Sequence, residues 1–217
     1  MNVERIKSLV GALETKDFST AAHTWRVVLY TRALAEAADV DHDFVDRLAF
    51  AAALHDVGKL DIPDAVLTKP GPLTREEFEV MKTHPGSGHA RLLTMGETDR
   101  VVLELVRHHH ERLDGAGYPD GLKGDAIPRA AAYFAVVDSF DAMTSLRPYR
   151  SEIGPDAAKA AIRELRDEAG SRYCADAVKR FAGLFERGDL NWILEYYNDR
   201  CLVPDYAELA GAKGRRR

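Results

Sequence analysis

Apolar residues recur at three- and four-residue steps along nearly the whole chain, and no stretch alternates strictly over a strand's length, so the pattern predicts an all-α fold. One helix starts near Phe18 and carries His23, Val27, Tyr30 and Leu34 along a single stripe. A second, from about Asp41, carries Phe44, Leu48, Ala52 and His55. Pro63, Pro70, Gly71 and Pro72 break the periodicity and force a loop. Thr74 and Glu77 then stand at the spacing of a capping box, opening a helix that the pattern stops at His84-Pro85-Gly86. The next helix runs from about Thr98 into three consecutive histidines, His108, His109 and His110. The glycine-rich stretch DGAGYPDGLKGDAIP follows, and its length marks a functional loop rather than a plain connection. Helical spacing resumes near Arg129, Pro155, Ala175 and Asn191, with no internal repeat or low-complexity segment.

A length of 217 residues fits one catalytic unit with a sizeable core. The chain divides into a lead helix over 1–22, a catalytic domain over 23–190 and a C-terminal extension with a basic tail over 191–217. The formal charge is -5 and the only basic run is Arg215-Arg216-Arg217, which gives polymeric nucleic acid little to bind. A small phosphate ester stays compatible, because a few Lys and Arg inside a pocket can hold it whatever the net charge. Cys174 and Cys201, without CxxC spacing, make neither a disulfide framework nor a thiolate metal site and read as free thiols in a reducing compartment. The first residues lack a signal-peptide core, and apolar runs such as Ala130 to Val137 fall well short of the ~18 residues of a membrane span, so the expectation is a soluble cytoplasmic protein with no membrane partner.

The ionisable residues on inward faces change the picture most. Val102, Leu105, Val106, His109 and His110 follow one buried stripe, which leaves His108 off its centre. His55 and Asp56 continue the face of Leu48 and Ala52, and Asp138 is embedded in an apolar run from Tyr133 to Val137. A single histidine on such a face is ordinarily a satisfied core or capping residue. Five histidines and two aspartates facing inward are too costly to bury unless they are paired or bind metal. Imidazole and carboxylate donors suit iron, manganese, zinc or nickel, and the lack of thiolates points to a catalytic rather than a structural site.

The ordered series of motifs resembles the HD-GYP phosphodiesterases. His55-Asp56-Val57-Gly58-Lys59 looks like the HD motif, and His109-His110-Glu111 through Gly117-Tyr118-Pro119 looks like the HHE…GYP motif. Leu67-Thr68-Lys69-Pro70-Gly71, Met81-Lys82-Thr83-His84-Pro85, Asp138-Ser139-Phe140-Asp141-Ala142 and Arg147-Pro148-Tyr149-Arg150 extend the likeness from about His23 to Arg150. The resemblance implies a helical HD-domain bundle around a metal centre, with His23, His55, Asp56, His84, His109, His110 and Asp138 as ligands and Asp56 bridging two ions. It implies that Lys59 approaches the scissile phosphate, Arg147 and Arg150 hold phosphate or guanine, and Tyr118 shapes the pocket. Members with three metals carry Glu four residues before the first histidine; here that position is Ser19, so two divalent transition-metal ions are expected, iron or manganese ahead of zinc or nickel. The implied reaction is hydrolysis of cyclic di-GMP to pGpG, and in a second cut to GMP, by a hydroxide held between two metals. The alternatives are another cyclic dinucleotide or nucleotide as substrate, or a catalytically weak module that binds the dinucleotide or a partner. Asp141, Asp114 and Glu111 are expected to orient neighbours through hydrogen bonds. With about 22 residues ahead of His23, regulation is expected from a separate sensor protein, a homodimer contact or a further domain outside this sequence.

Overall fold

Helices begin where the sequence supplies a cap. The computed structural model describes residues 3–16, 18–145 and 155–196. It contains α1 (Val3–Lys16), α2 (Phe18–Ala37), α3 (His42–Leu54), the short α4 (Asp64–Leu67), α5 (Arg75–Met81), α6 (His84–Thr94), α7 (Arg100–His108), α8 (Arg129–Thr144), α9 (Pro155–Asp167), α10 (Ala175–Glu186) and α11 (Asn191–Tyr196). Asp41 caps α3 by accepting from the Phe44 amide at 2.9 Å, and Asp99 caps α7 by accepting from Val101 at 2.8 Å. The reciprocal box of Thr74 and Glu77 forms as expected, so each satisfies an orphan amide at the start of α5. Among the described residues there is no strand, only an isolated bridge between Ala169 and Tyr173, and no helix long and apolar enough to cross a membrane.

One element corrects the sequence reading. The histidine, proline and glycine at 84–86 do not end a helix; α5 has already stopped at Met81, and His84 opens α6 with proline in the first turn. Proline fits there because an amide in a first turn has no intrahelical acceptor to lose.

Helices α2, α3, α7, α8 and α10 close around Tyr30, Phe134, Phe140 and Phe181, all fully buried. Tyr30 meets Phe140 edge-on at 5.4 Å, and Phe140 meets Phe181 at 5.0 Å, an arrangement that aligns ring edges with ring faces. This core fixes the C-terminal ends of α3 and α7 and the middle of α8 relative to α2. A 3₁₀ turn, Val57–Asp61, packs against α6. The approach is closest at Gly58, where a Cβ would lie 1.9 Å from the His84 carbonyl oxygen, so only glycine lets the two backbones meet.

Between that turn and α6 the chain leaves the core. No residue from Pro63 to Thr83 is buried, although α4 and α5 are both regular helices. This flap is held by its capping box, by an ion pair of Lys69 with Glu77 at 2.6 Å, and by the packing of α4 on α5.

Candidate metal centre

Three of the histidines are oriented by one local device. Each follows the end of a helix within three residues, where the last backbone carbonyls lack intrahelical partners. His55 Nδ1 donates to the Ala52 carbonyl at 2.8 Å, His84 Nδ1 to Met81 at 2.8 Å, and His109 Nδ1 to Val106 at 2.9 Å. A carbonyl only accepts, so the proton of each neutral ring is on Nδ1 and Nε2 presents a bare lone pair. His23, on α2, reaches the same state differently, donating Nδ1–H to Asp141 Oδ2 at 2.8 Å.

The lone pairs converge in two groups. His23, His55 and Asp138 bring donor atoms within 4.8 Å of one another, and so do His84, His109 and His110. In the first group the Nε2 atoms of His23 and His55 are 3.2 Å apart, and Asp138 Oδ1 is 3.6 Å from His23 Nε2. In the second, Nε2 of His84 and His109 are also 3.2 Å apart. Lone pairs facing at that distance repel unless something positive lies between them, and a cation about 2.1 Å from each nitrogen meets the requirement. Asp56 joins the groups: Oδ2 is 3.2 Å from His55 Nε2, while Oδ1 is 3.3 Å from His84 Nε2. The donor chemistry therefore fits divalent transition metals, with nitrogen and carboxylate oxygen and no sulfur.

Charge at the site is set by burial and by close partners. Burial opposes ionisation of Asp56, yet His55 and Lys59 outweigh it and hold the carboxyl well below its usual range. Burial likewise opposes charge on His55, and the Asp56 carboxylate reverses the balance and raises it. His109 and His110 have no such relief: burial and neighbouring imidazoles push His109 far down, and burial brings His110 to about 3. Lys59 Nζ stands 2.5 Å from Asp56 Oδ2, at the edge of the donors. Tyr118 lies against His110 with ring centroids 4.8 Å apart, and burial, with the Asp138 and Asp56 carboxylates, pushes its phenol up.

All seven proposed ligands thus come together, with Lys59 and Tyr118 beside them. Arg147 and Arg150 lie outside the described residues. His108 ends α7 facing the other way, its Nδ1 3.4 Å from Asp120. Asp141, Glu111 and Asp114 orient neighbours as expected: Glu111 accepts from the amides of Asp120 at 2.7 Å and Leu122 at 2.9 Å, and Asp114 from Ala116 at 2.9 Å. The Glu111 bonds fasten the glycine-rich loop to the end of α7. Gly117 is required in that loop, because a Cβ there would lie 2.4 Å from the Arg112 amide.

Sequence reasoning missed Arg26. It is buried and forks onto Asp141, with Nε 2.6 Å from Oδ1 and Nη2 3.1 Å from Oδ2, and Nη2 reaches Ser145 Oγ at 2.7 Å. Together with His23 it outweighs burial and keeps the Asp141 carboxyl below its usual range. The available signal was its position, three residues beyond His23 on the same face of α2.

Comparison with known proteins agrees with this geometry. The family described as HD domain matches residues 8–176. A cyclic di-GMP phosphodiesterase of Thermotoga maritima is 43% identical over 173 residues, covering 79% of this chain and 46% of the relative. The cyclic di-GMP phosphodiesterase response regulator RpfG of Xanthomonas campestris is 41% identical over 180 residues, 82% of this chain and 47% of its own length. The chain thus spans about half the length of these curated relatives. The solved cyclic GMP-AMP-specific phosphodiesterase of Vibrio cholerae superposes with a TM-score of 0.65 over 88% of this chain and 50% of its own, at 17% identity, a likeness of fold alone.

Proposed function

This chain belongs to the HD-GYP branch of the HD-domain family, and we propose that it is a metal-dependent phosphodiesterase that opens cyclic di-GMP to linear pGpG. The observation that carries the proposal is Asp56, which offers one carboxylate oxygen to each of two separate groups of imidazole and carboxylate donors. A binding module has little use for seven donors with their lone pairs aimed inward.

We assign two ions to the site, held by His23, His55, Asp56 and Asp138 on one side and by Asp56, His84, His109 and His110 on the other. Iron or manganese is our first choice of metal, with zinc or nickel also suited to these donors. Such ions supply a nucleophile at neutral pH and draw charge from the phosphoryl oxygens. The remaining work falls to the chain. Asp141 and the three backbone carbonyls hold His23, His55, His84 and His109 in the donating tautomer, and such partners commonly account for about 10–100-fold in metal affinity. Lys59 stands beside Asp56, and its ammonium would offset the charge that grows on the phosphoryl oxygens as phosphorus is attacked. Tyr118 closes the side next to His110. Arg147 and Arg150 are assigned to phosphate or guanine on the family resemblance alone.

The test is elemental analysis of anaerobically purified protein, with identification of the products from cyclic di-GMP. Two ions per chain and pGpG are expected, and Asp56→Ala should lower turnover by several orders of magnitude in a protein that still folds. Three fully occupied ions would overturn the count. A wild type that binds cyclic di-GMP equally well with and without chelator and hydrolyses none of it would make the chain a binding module, and faster turnover of cyclic GMP-AMP would reassign the substrate.

A further inference from the structure

The flap from Pro63 to Thr83 has no evident role in building the core, since none of its residues is buried. Yet it is wired to the donors: its last helix, α5, supplies the Met81 carbonyl that orients His84. It also presents a large aromatic side chain outward, Phe78, 46% exposed. Single exposed apolar residues are ordinary on a protein surface and need no explanation by themselves. Phe78 differs in what it meets. Its ring stands edge-on to Tyr118, with centroids 6.4 Å apart and planes at 83°. Tyr118 in turn lies on His110. The three rings form a file leading from the donor groups to solvent, and Lys82 Nζ sits 5.6 Å over the Phe78 ring at its outer end.

A diester whose phosphate lies at Lys59 carries its nucleoside away from the donors, and a purine is a flat π surface seeking another. Hydrophobic contact alone would serve any apolar partner, but an exposed ring standing edge-on to a second ring that lies on the donors matches a flat base. Lys82 is paired with Glu79 at 2.7 Å rather than offered to the phosphate. Building on the phosphodiesterase reading above, we propose that Phe78 is a stacking platform for a purine of the bound cyclic dinucleotide, so that the flap confers selectivity while the core holds the reacting phosphate. Stacking of a base on an aromatic side chain is worth about 1–3 kcal/mol, or about 5- to 150-fold in affinity.

The experiment uses the metal-loaded chain with Phe78→Ala, Phe78→Trp and, as a control on the same helix, Val80→Ala. Steady-state kinetics are measured on cyclic di-GMP and on methyl p-nitrophenyl phosphate, a diester without a nucleobase, and cyclic di-GMP binding is measured by equilibrium dialysis. For Phe78→Ala the ratio of kcat/KM between the two substrates should fall about 5- to 150-fold. The loss should reside in KM and be matched in Kd, while Phe78→Trp and Val80→Ala keep the wild-type ratio. An unchanged ratio and Kd in Phe78→Ala would overturn the platform and leave the phosphodiesterase reading standing. An equal loss on both substrates would also overturn it, marking Phe78 as a support for His84. If the wild type binds cyclic di-GMP without hydrolysing either diester, the phosphodiesterase reading falls and the dialysis of Phe78→Ala still decides the platform. A wild type that neither binds nor hydrolyses removes both.

Discussion

Asp141 binds no metal in the proposed site, but two cations of different kinds depend on it. It neutralises the buried Arg26 guanidinium and accepts from His23 Nδ1. In Asp141→Ala the guanidinium would remain buried without its carboxylate, a loss of about 3–5 kcal/mol that denaturant unfolding of the chelated protein should register. The same variant frees the His23 ring, so metal titration should show affinity lowered about 10–100-fold. The three consecutive histidines allow a sharper comparison. His109→Ala and His110→Ala should each lose bound metal and nearly all turnover, whereas His108→Ala, whose ring faces Asp120, should keep both close to wild type. Metal lost in proportion from His108→Ala would show that α7 presents a different pair. That choice was legible in the sequence because the apolar stripe through Val102, Leu105 and Val106 points at His109 and His110. Arg26 was not legible. A period analysis scores an arginine beside the inward stripe as a break in it, and only a buried carboxylate more than a hundred residues away turns it into a partner.

Most element starts could be read from residues whose chemistry is local. Asp41, Thr74 and Asp99 cap the helices that follow them, and α8, α9, α10 and α11 begin at the residues where helical spacing resumes. The start of α6 was hidden because proline tolerates a first turn and disrupts an interior, and the sequence alone does not say which position it occupies. The close passage of α6 over the 3₁₀ turn was hidden as well, being a tertiary contact marked only by Gly58. Gly58→Ala should force those backbones apart. Overpacking of this kind costs about 1–3 kcal/mol, and because His84 lies on the displaced strand of chain, bound metal should fall along with the unfolding midpoint. A stable Gly58→Ala variant with full metal content would mean that the turn and α6 separate without disturbing the donors.

The molecule as a whole carries ionisable groups in its interior, so its stability is tied to pH. An unfolded imidazole takes a proton below about 6.5, whereas folded His110 resists until about 3 and His109 lies far below its ordinary value. Between those limits the unfolded chain holds more protons than the folded one, so stability must fall as pH drops. The slope is about 1.4 kcal/mol per pH unit for each imidazole kept neutral. His55 is raised by Asp56, so its contribution is already complete below about 6.5 and is lost only on the alkaline side. Chelated protein should therefore unfold at lower denaturant at pH 5 than at pH 7, and an unchanged midpoint would mean that these rings are protonated in the fold. The side chains of the flap stand outside this coupling, and the Met81 carbonyl on His84 joins the flap to the donors. Because none of its residues from Pro63 to Thr83 is buried, replacements there meet little resistance from folding. Such a stretch can drift over generations and retune which base is held, provided the backbone at Met81 keeps its carbonyl on His84.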